Sequence, residues 1–135
     1  MKIYVIDNFD QISPLLLADQ ADVAFFSDEI QAFNAVEQQQ PALIFLNYAL
    51  REQQTAEYVS LLIQVCPTAS IVIVAAEELD DDNILKLLLA GAKGYQVQQD
   101  LKLYMTRIIL AMTKGEAWVS RRLVSLLLNW IRRQA

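Results

Sequence analysis

The sequence predicts an α/β fold: a doubly wound sheet of five parallel strands, order 2-1-3-4-5, with one extra helix at the C-terminus. Three observations lead there. Five short apolar runs, rich in β-branched and aromatic residues, recur along the 135-residue chain. None alternates polar with apolar residues, which is the pattern of strands covered on both faces. Between them lie longer stretches with apolar residues at helical spacing. Such alternation, with right-handed crossovers, gives a parallel sheet flanked by helices.

The elements follow in order. Ile3-Tyr4-Val5-Ile6 is the first strand and ends in Asp7. Ser13 before Pro14 reads as an N-cap ahead of a proline at the first helical position, so the first helix starts late. Asp22 to Phe26 is the second strand. Ser27 is expected to cap the second helix, with Asp28 and Glu29 in its first turn and Ile30, Phe33 and Val36 inward. Ala42 to Leu46 is the third strand. Thr55 caps the third helix, which places Tyr58, Leu61, Leu62 and Val65 at helical spacing and ends before Pro67. Ser70 to Val74 is the fourth strand. Asp80 to Asp82 lead into a fourth helix, Ile84 to Ala90, stopped near Gly91. Gly94 to Val97 is a short fifth strand. A fifth helix runs from about Leu101 to Thr113, and a last helical pattern from about Ser120 to Arg132. The expected division is a domain over residues 1–116 and a helical extension over 117–135. In a sheet of this order the functional crevice lies at the carboxyl ends of strands 1 and 3.

Composition narrows the chemistry. Apolar residues make up 55% of the chain, an excess that a core or a partner must bury. Cys66, the one cysteine, lies in an apolar run and reads as core packing. There is no histidine, which argues against zinc and most transition-metal sites and removes the commonest general base. No Ser/His/Asp or Cys/His set is possible, and Gly91 and Gly94 make no phosphate loop. The N-terminus is too short and too soon acidic for a signal peptide, and no apolar run spans a membrane. The expected location is the cytoplasm, without a membrane partner. The net charge of −5 is uneven: the last twenty residues carry four arginines and one acid, while residues 1–115 carry seven bases and fifteen acids. An acidic body does not attract nucleic acid.

Two stretches carry a family resemblance. Leu88-Leu89-Ala90-Gly91-Ala92-Lys93-Gly94-Tyr95 resembles the "AGAxGY" run that ends a helix and enters the last strand of response regulator receiver domains. Lys114-Gly115-Glu116-Ala117-Trp118-Val119-Ser120 resembles the "GExWLS" segment of the subfamily in which the receiver precedes a LuxR-type helix-turn-helix output domain. The likeness covers roughly residues 2–115 and implies the flavodoxin-like arrangement already expected. It also implies a phosphorylation pocket: two acids after strand 1 that help hold Mg²⁺, a phosphoacceptor Asp ending strand 3, a Thr or Ser ending strand 4 and a Lys ending strand 5. Here those positions read Asp7 and Asn8, Asn47, Ala75 and Gln98. An amide oxygen is a poor nucleophile, one carboxylate gives Mg²⁺ little charge, and the hydroxyl and cation that would hold a phosphate are gone. Tyr95 stands where switching receivers carry an aromatic that changes rotamer.

The reading is a degenerate receiver-like module that binds proteins, is no enzyme and carries no metal or cofactor. Asp7, Asn8 and Asn47 form either a polar binding pocket or a hydrogen-bonded remnant. The acids Glu77, Glu78, Asp80, Asp81 and Asp82 read as solvated charge at a helix N-terminus. Leu85, Leu87, Leu88 and Leu89 surround the fourth helix, so at least one is expected in an exposed apolar patch near Tyr95, with Leu85 and Leu89 as contact residues. Trp118, Leu123, Leu127, Trp130 and Ile131 form a stripe at helical spacing, flanked by Arg121, Arg122, Arg132 and Arg133. The stripe docks on a partner, caps its own domain or forms a two-fold homodimer; nucleic acid is not expected through this chain alone. Two alternatives stand beside this reading: a conventional phospho-switch with unusual residues, and a flavodoxin-like small-ligand binder.

Overall fold

Five strands pair in parallel in the order β2-β1-β3-β4-β5. They are β1 (Lys2–Ile6), β2 (Asp22–Phe26), β3 (Leu43–Asn47), β4 (Ser70–Ala75) and β5 (Gly94–Val97). The computed structural model describes residues 1–8 and 11–135, with Leu15 described by its backbone alone. Every residue of β3 and β4 is buried, which is why these runs show no polar alternation. Alternate side chains separate into two cores. On one face Tyr4, Ile6, Ile44, Leu46, Ile71 and Ile73 are buried beneath α1 (Glu29–Gln39), α2 (Thr55–Val65) and α3 (Asp81–Ala90). On the other, Ile3, Val5, Phe45 and Val72 meet Leu101, Met105, Ile108 and Met112 of α4 (Leu101–Thr113). The last helix, α5 (Arg121–Gln134), lies against α3. The helices of the first face thus form a row: α1 on α2, α2 on α3, α3 on α5.

The segment between β1 and β2 departs from expectation. Only Pro14–Leu17 is helical, as a 3-10 turn, so the described residues form five α-helices and not six. A start at Pro14 leaves about two turns before Asp22, too few to repay helix nucleation.

Two caps and two side chains also differ. Asp28, not Ser27, caps α1, its carboxylate accepting from the N–H groups of Ile30 and Gln31 at 2.8 and 3.1 Å. The core then takes Ala32 and Val36, and Ile30 is left 74% exposed. Thr55 is the first residue of α2 and not its cap; its side chain is buried and donates to the Tyr48 carbonyl at 3.3 Å. Tyr58 and Leu62 face the core, so Leu61 turns to solvent. The remaining bounds follow the sequence closely: Asp80 caps α3 through the Asn83 N–H, α4 spans Leu101–Thr113, and Ser120 caps α5. Gly91 ends α3 at φ +125°, where a Cβ would meet Ile63 Cγ1 at 2.9 Å.

Candidate functional site

Pairing of β1 with β3 sets Ile6 beside Leu46, so Asp7 and Asn47 emerge together at the carboxyl edge of the sheet. Asn47 is fully buried. Its Oδ1 accepts the Ala49 N–H at 2.9 Å. That bond fixes the amide, leaving Nδ2 to donate to Asp7 Oδ1 at 2.7 Å. The other carboxylate oxygen of Asp7 accepts the Ile12 N–H at 2.9 Å. Both oxygens of Asp7 are therefore engaged by the protein. Asn8 is exposed, Ala75 ends β4 buried with only a methyl group, and Gln98 is exposed in the turn after β5.

The donor set does not fit the magnesium ion implied by the resemblance. Mg²⁺ sheds water reluctantly and needs carboxylate or phosphate charge. Asn8 and Asn47 are neutral, and Asn47 points an N–H at Asp7. Among the described residues no three acid, cysteine or histidine side chains cluster to hold a metal.

A second region is built by the C-terminal chain. Residues 117–119 run along the outer edge of β5 as a strap. Trp118 donates its N–H to the Lys93 carbonyl at 2.8 Å and accepts the Tyr95 N–H at 3.0 Å, a parallel bridge opposite Gly94. Its indole Nε1 donates to Gln96 Oε1 at 2.9 Å, and its ring lies 5.7 Å from that of Tyr104. Glycine eases this approach: a Cβ on Gly94 would lie 3.1 Å from Trp118 Cβ and 3.2 Å from Val72 Cγ2, so that a neighbour would have to give by a few tenths of an ångström. Trp118 is thus part of the strap and not of the helical stripe to which its spacing assigned it.

The strap leads into α5, whose first turn is latched to α3. Leu123 is buried, Val119 and Leu126 pack on the core, and Arg122 pairs with Asp81. Leu127 and Trp130 are half-buried, while Ile131 is 49% exposed. On α3, Leu87 is buried, Leu85 and Leu88 are half-buried, and Leu89 is 43% exposed. Tyr95 itself is buried, and its hydroxyl accepts the Leu79 N–H at 2.9 Å. Burial raises its pKa above that of a free phenol, with the Leu79 bond opposing. Between strap and sheet lies a groove of about 630 Å³, lined by Glu78, Tyr95, Gln96, Asp100, Trp118 and Leu123.

One cluster was not found from sequence. Arg51 Nη1 donates to Glu29 Oε2 at 2.7 Å and its guanidinium lies 5.8 Å from the Tyr58 ring centroid. The Tyr58 hydroxyl donates to the Glu29 carbonyl at 2.6 Å. Desolvation pushes the Tyr58 phenol well above its usual range, with Glu29 adding to it. The cluster ties α1 to the turn after β3 and to α2.

Comparison with family models and with curated proteins gives no match. Solved structures do match. The isolated REC domain of RcsB from Salmonella enterica serovar Typhimurium has a TM-score of 0.76 at 15% identity, over 96% of this chain and 98% of that one. A LuxR family DNA-binding response regulator from Silicibacter pomeroyi gives 0.74 at 18% identity, over 90% and 99%. A CheY-like receiver domain protein from Methanospirillum hungatei gives 0.67 at 16% identity, over 84% and 97%. The chain therefore has the flavodoxin-like fold of response regulator receiver domains.

Proposed function

We propose that this receiver-fold chain is a phosphorylation-independent module that acts in signal transduction or transcription control by binding other proteins. The observation that carries the reading is Asn47. It stands at the end of β3, where a receiver needs a nucleophilic carboxylate, and both ends of its amide are already spent on Asp7 and Ala49. The neighbouring positions Ala75 and Gln98 offer no hydroxyl and no cation to a transferred phosphoryl group. The crevice then serves to hold the β1 and β3 loops in one conformation. Contact is left to the surface, where Leu89 and Ile131 are exposed and the acidic body and basic tail differ in charge. Nothing in this reading requires an enzyme activity, a cofactor or a membrane, and it places the protein in the cytoplasm.

The test is incubation with acetyl phosphate, or with beryllofluoride, in millimolar Mg²⁺. Intact mass is expected to stay unchanged and amide NMR shifts around Asn47 to stay in place. A stable adduct would restore the phospho-switch. Asn47→Asp alone is expected to leave the mass unchanged as well, since Ala75 and Gln98 remain.

A further inference from the structure

The helices on one face of the sheet form a row with two free ends, α1 at the β2 edge and α5 beyond the β5 edge. Each end carries apolar surface that no described residue covers. On α5, Leu123 and Leu126 turn toward α3, while Val124, Leu128 and Ile131, at helical spacing on another side, are 40%, 51% and 49% exposed. At the other end Ile30 on α1 is 74% exposed, and Phe25 on the outermost strand is 46% exposed.

Charge differs at the two ends with opposite sign. Residues 22–39, which span β2 and α1, contain four acids and no base, with Arg51 paired to Glu29 and Lys2 donating to the Gln39 carbonyl beside them; α5 contains four arginines and no acid. At the α1 end Asp22, Asp28 and Glu37 are exposed. At the α5 end Arg121, Arg132 and Arg133 are exposed, and of the four tail arginines only Arg122 has an ion-pair partner among the described residues.

We infer that the exposed side of α5 seats on the α1 end of a second copy of this chain, so that copies associate head to tail. Apolar surface meets apolar surface, and the basic tail of one copy meets the acidic end of the next. A two-fold contact is disfavoured at either end, because such a contact sets a surface against itself. Centred on α5 it opposes arginines to arginines; centred on α1 it opposes acids to acids. The two complementary surfaces lie at opposite ends of one helical row, so one contact leaves both outer ends free to bind again. The two-fold dimer expected from sequence is the competing arrangement that the measurement below distinguishes. This inference goes beyond the proposed function and stands independently of the phosphorylation test.

Sedimentation velocity of the full chain over a micromolar concentration series tests it. The weight-average sedimentation coefficient is expected to rise past the dimer value without a plateau, and to fall as salt is added. Leu128→Glu removes the α5 surface and Ile30→Lys the α1 surface; each alone is expected to weaken association about tenfold or more. Mixed in equal amounts, the two variants retain one intact surface each and are expected to form a one-to-one pair that grows no further. Circular dichroism melts confirm that both variants fold. A plateau at dimer, a mixture that fails to pair, or a monomer at all concentrations would each overturn the proposal.

Discussion

At the carboxyl ends of β1 and β3, polar groups face one another and are satisfied: Asn47 on Asp7 and Ala49, Asp7 on Asn47 and Ile12. Along β5 the arrangement is the reverse. The strap uses Trp118 to satisfy the sheet edge, and the chain beyond it leaves Val124, Leu128, Ile131 and arginines at the surface. A receiver fold concentrates its chemistry in the first region. In this chain that region is closed by hydrogen bonds, and the exposed apolar groups lie elsewhere: Phe25 on β2, Ile30 on α1, Leu61 on α2, Leu89 on α3, Leu103 and Leu110 on α4, and Val124, Leu128 and Ile131 on α5.

The largest effect expected on this contrast comes from opening the seal. Asn47→Asp sets a second carboxylate beside Asp7 in a buried position and removes the donor between them. At neutral pH this is expected to cost about 3 kcal/mol. Like charges raise the apparent pKa of the pair above that of free carboxyls. The folded state of the variant therefore gains protons on acidification, and the loss of stability shrinks as pH falls toward about 4. Urea melts at neutral and acidic pH read it; a loss independent of pH would mean that the carboxylates do not interact.

Unlatching the strap comes next. Leu123→Ala is expected to cost about 2–3 kcal/mol and to loosen α5, seen as loss of amide protection in residues 121–134 with β1 and β3 unaffected. Arg122→Ala is expected to leave the melting midpoint unchanged, because both partners of its ion pair with Asp81 are largely solvated. A large effect of Arg122→Ala would assign the latch to charge and not to apolar burial.

The smallest effect sets the Arg51 cluster against the strap by pH. The Tyr58 phenol, on α2 and held against Glu29 of α1, has a raised pKa, and that of Tyr95 beneath the strap is raised too. A raised phenol pKa favours the neutral folded form, so its contribution is fully present below about pH 10 and is lost above it. Tyr58→Phe is expected to flatten the alkaline decline in stability more than Tyr95→Phe. Urea midpoints across the alkaline range would show which phenol dominates.

Much of this was legible because apolar pattern and capping chemistry are local. The runs around Val5, Phe45 and Val72 are buried on both faces and carry no competing signal. Gly91, Ser120 and Asp80 mark helix ends by groups that need only their own neighbours. What failed depended on geometry several residues away. Ser27 and Asp28 are both good caps, and the choice between them was made by which side of α1 meets the sheet. That choice put Ala32 inside and Ile30 outside. Trp118 fits a helical stripe by spacing, yet its backbone pairs with β5 opposite Gly94, where the missing side chain leaves room for it. In the crevice the residue identities were readable, but the hydrogen bond that closes Asn47 onto Asp7 depends on strand order. The contact between Arg51 and Glu29 joins residues twenty-two apart through tertiary packing alone.

The bridge between Gly94 and Trp118 bears on how this chain is to be cut. Division after residue 116, as the sequence suggests, keeps all five strands and all four helices that cover them. It also removes the partners of the Lys93 carbonyl and the Tyr95 N–H, along with the Trp118 ring and Leu123. The fragment then presents a bare strand edge beside newly uncovered apolar side chains, a template on which further chains add. Poor solubility of such a fragment would report the loss of this seal and not a failure of the sheet to fold.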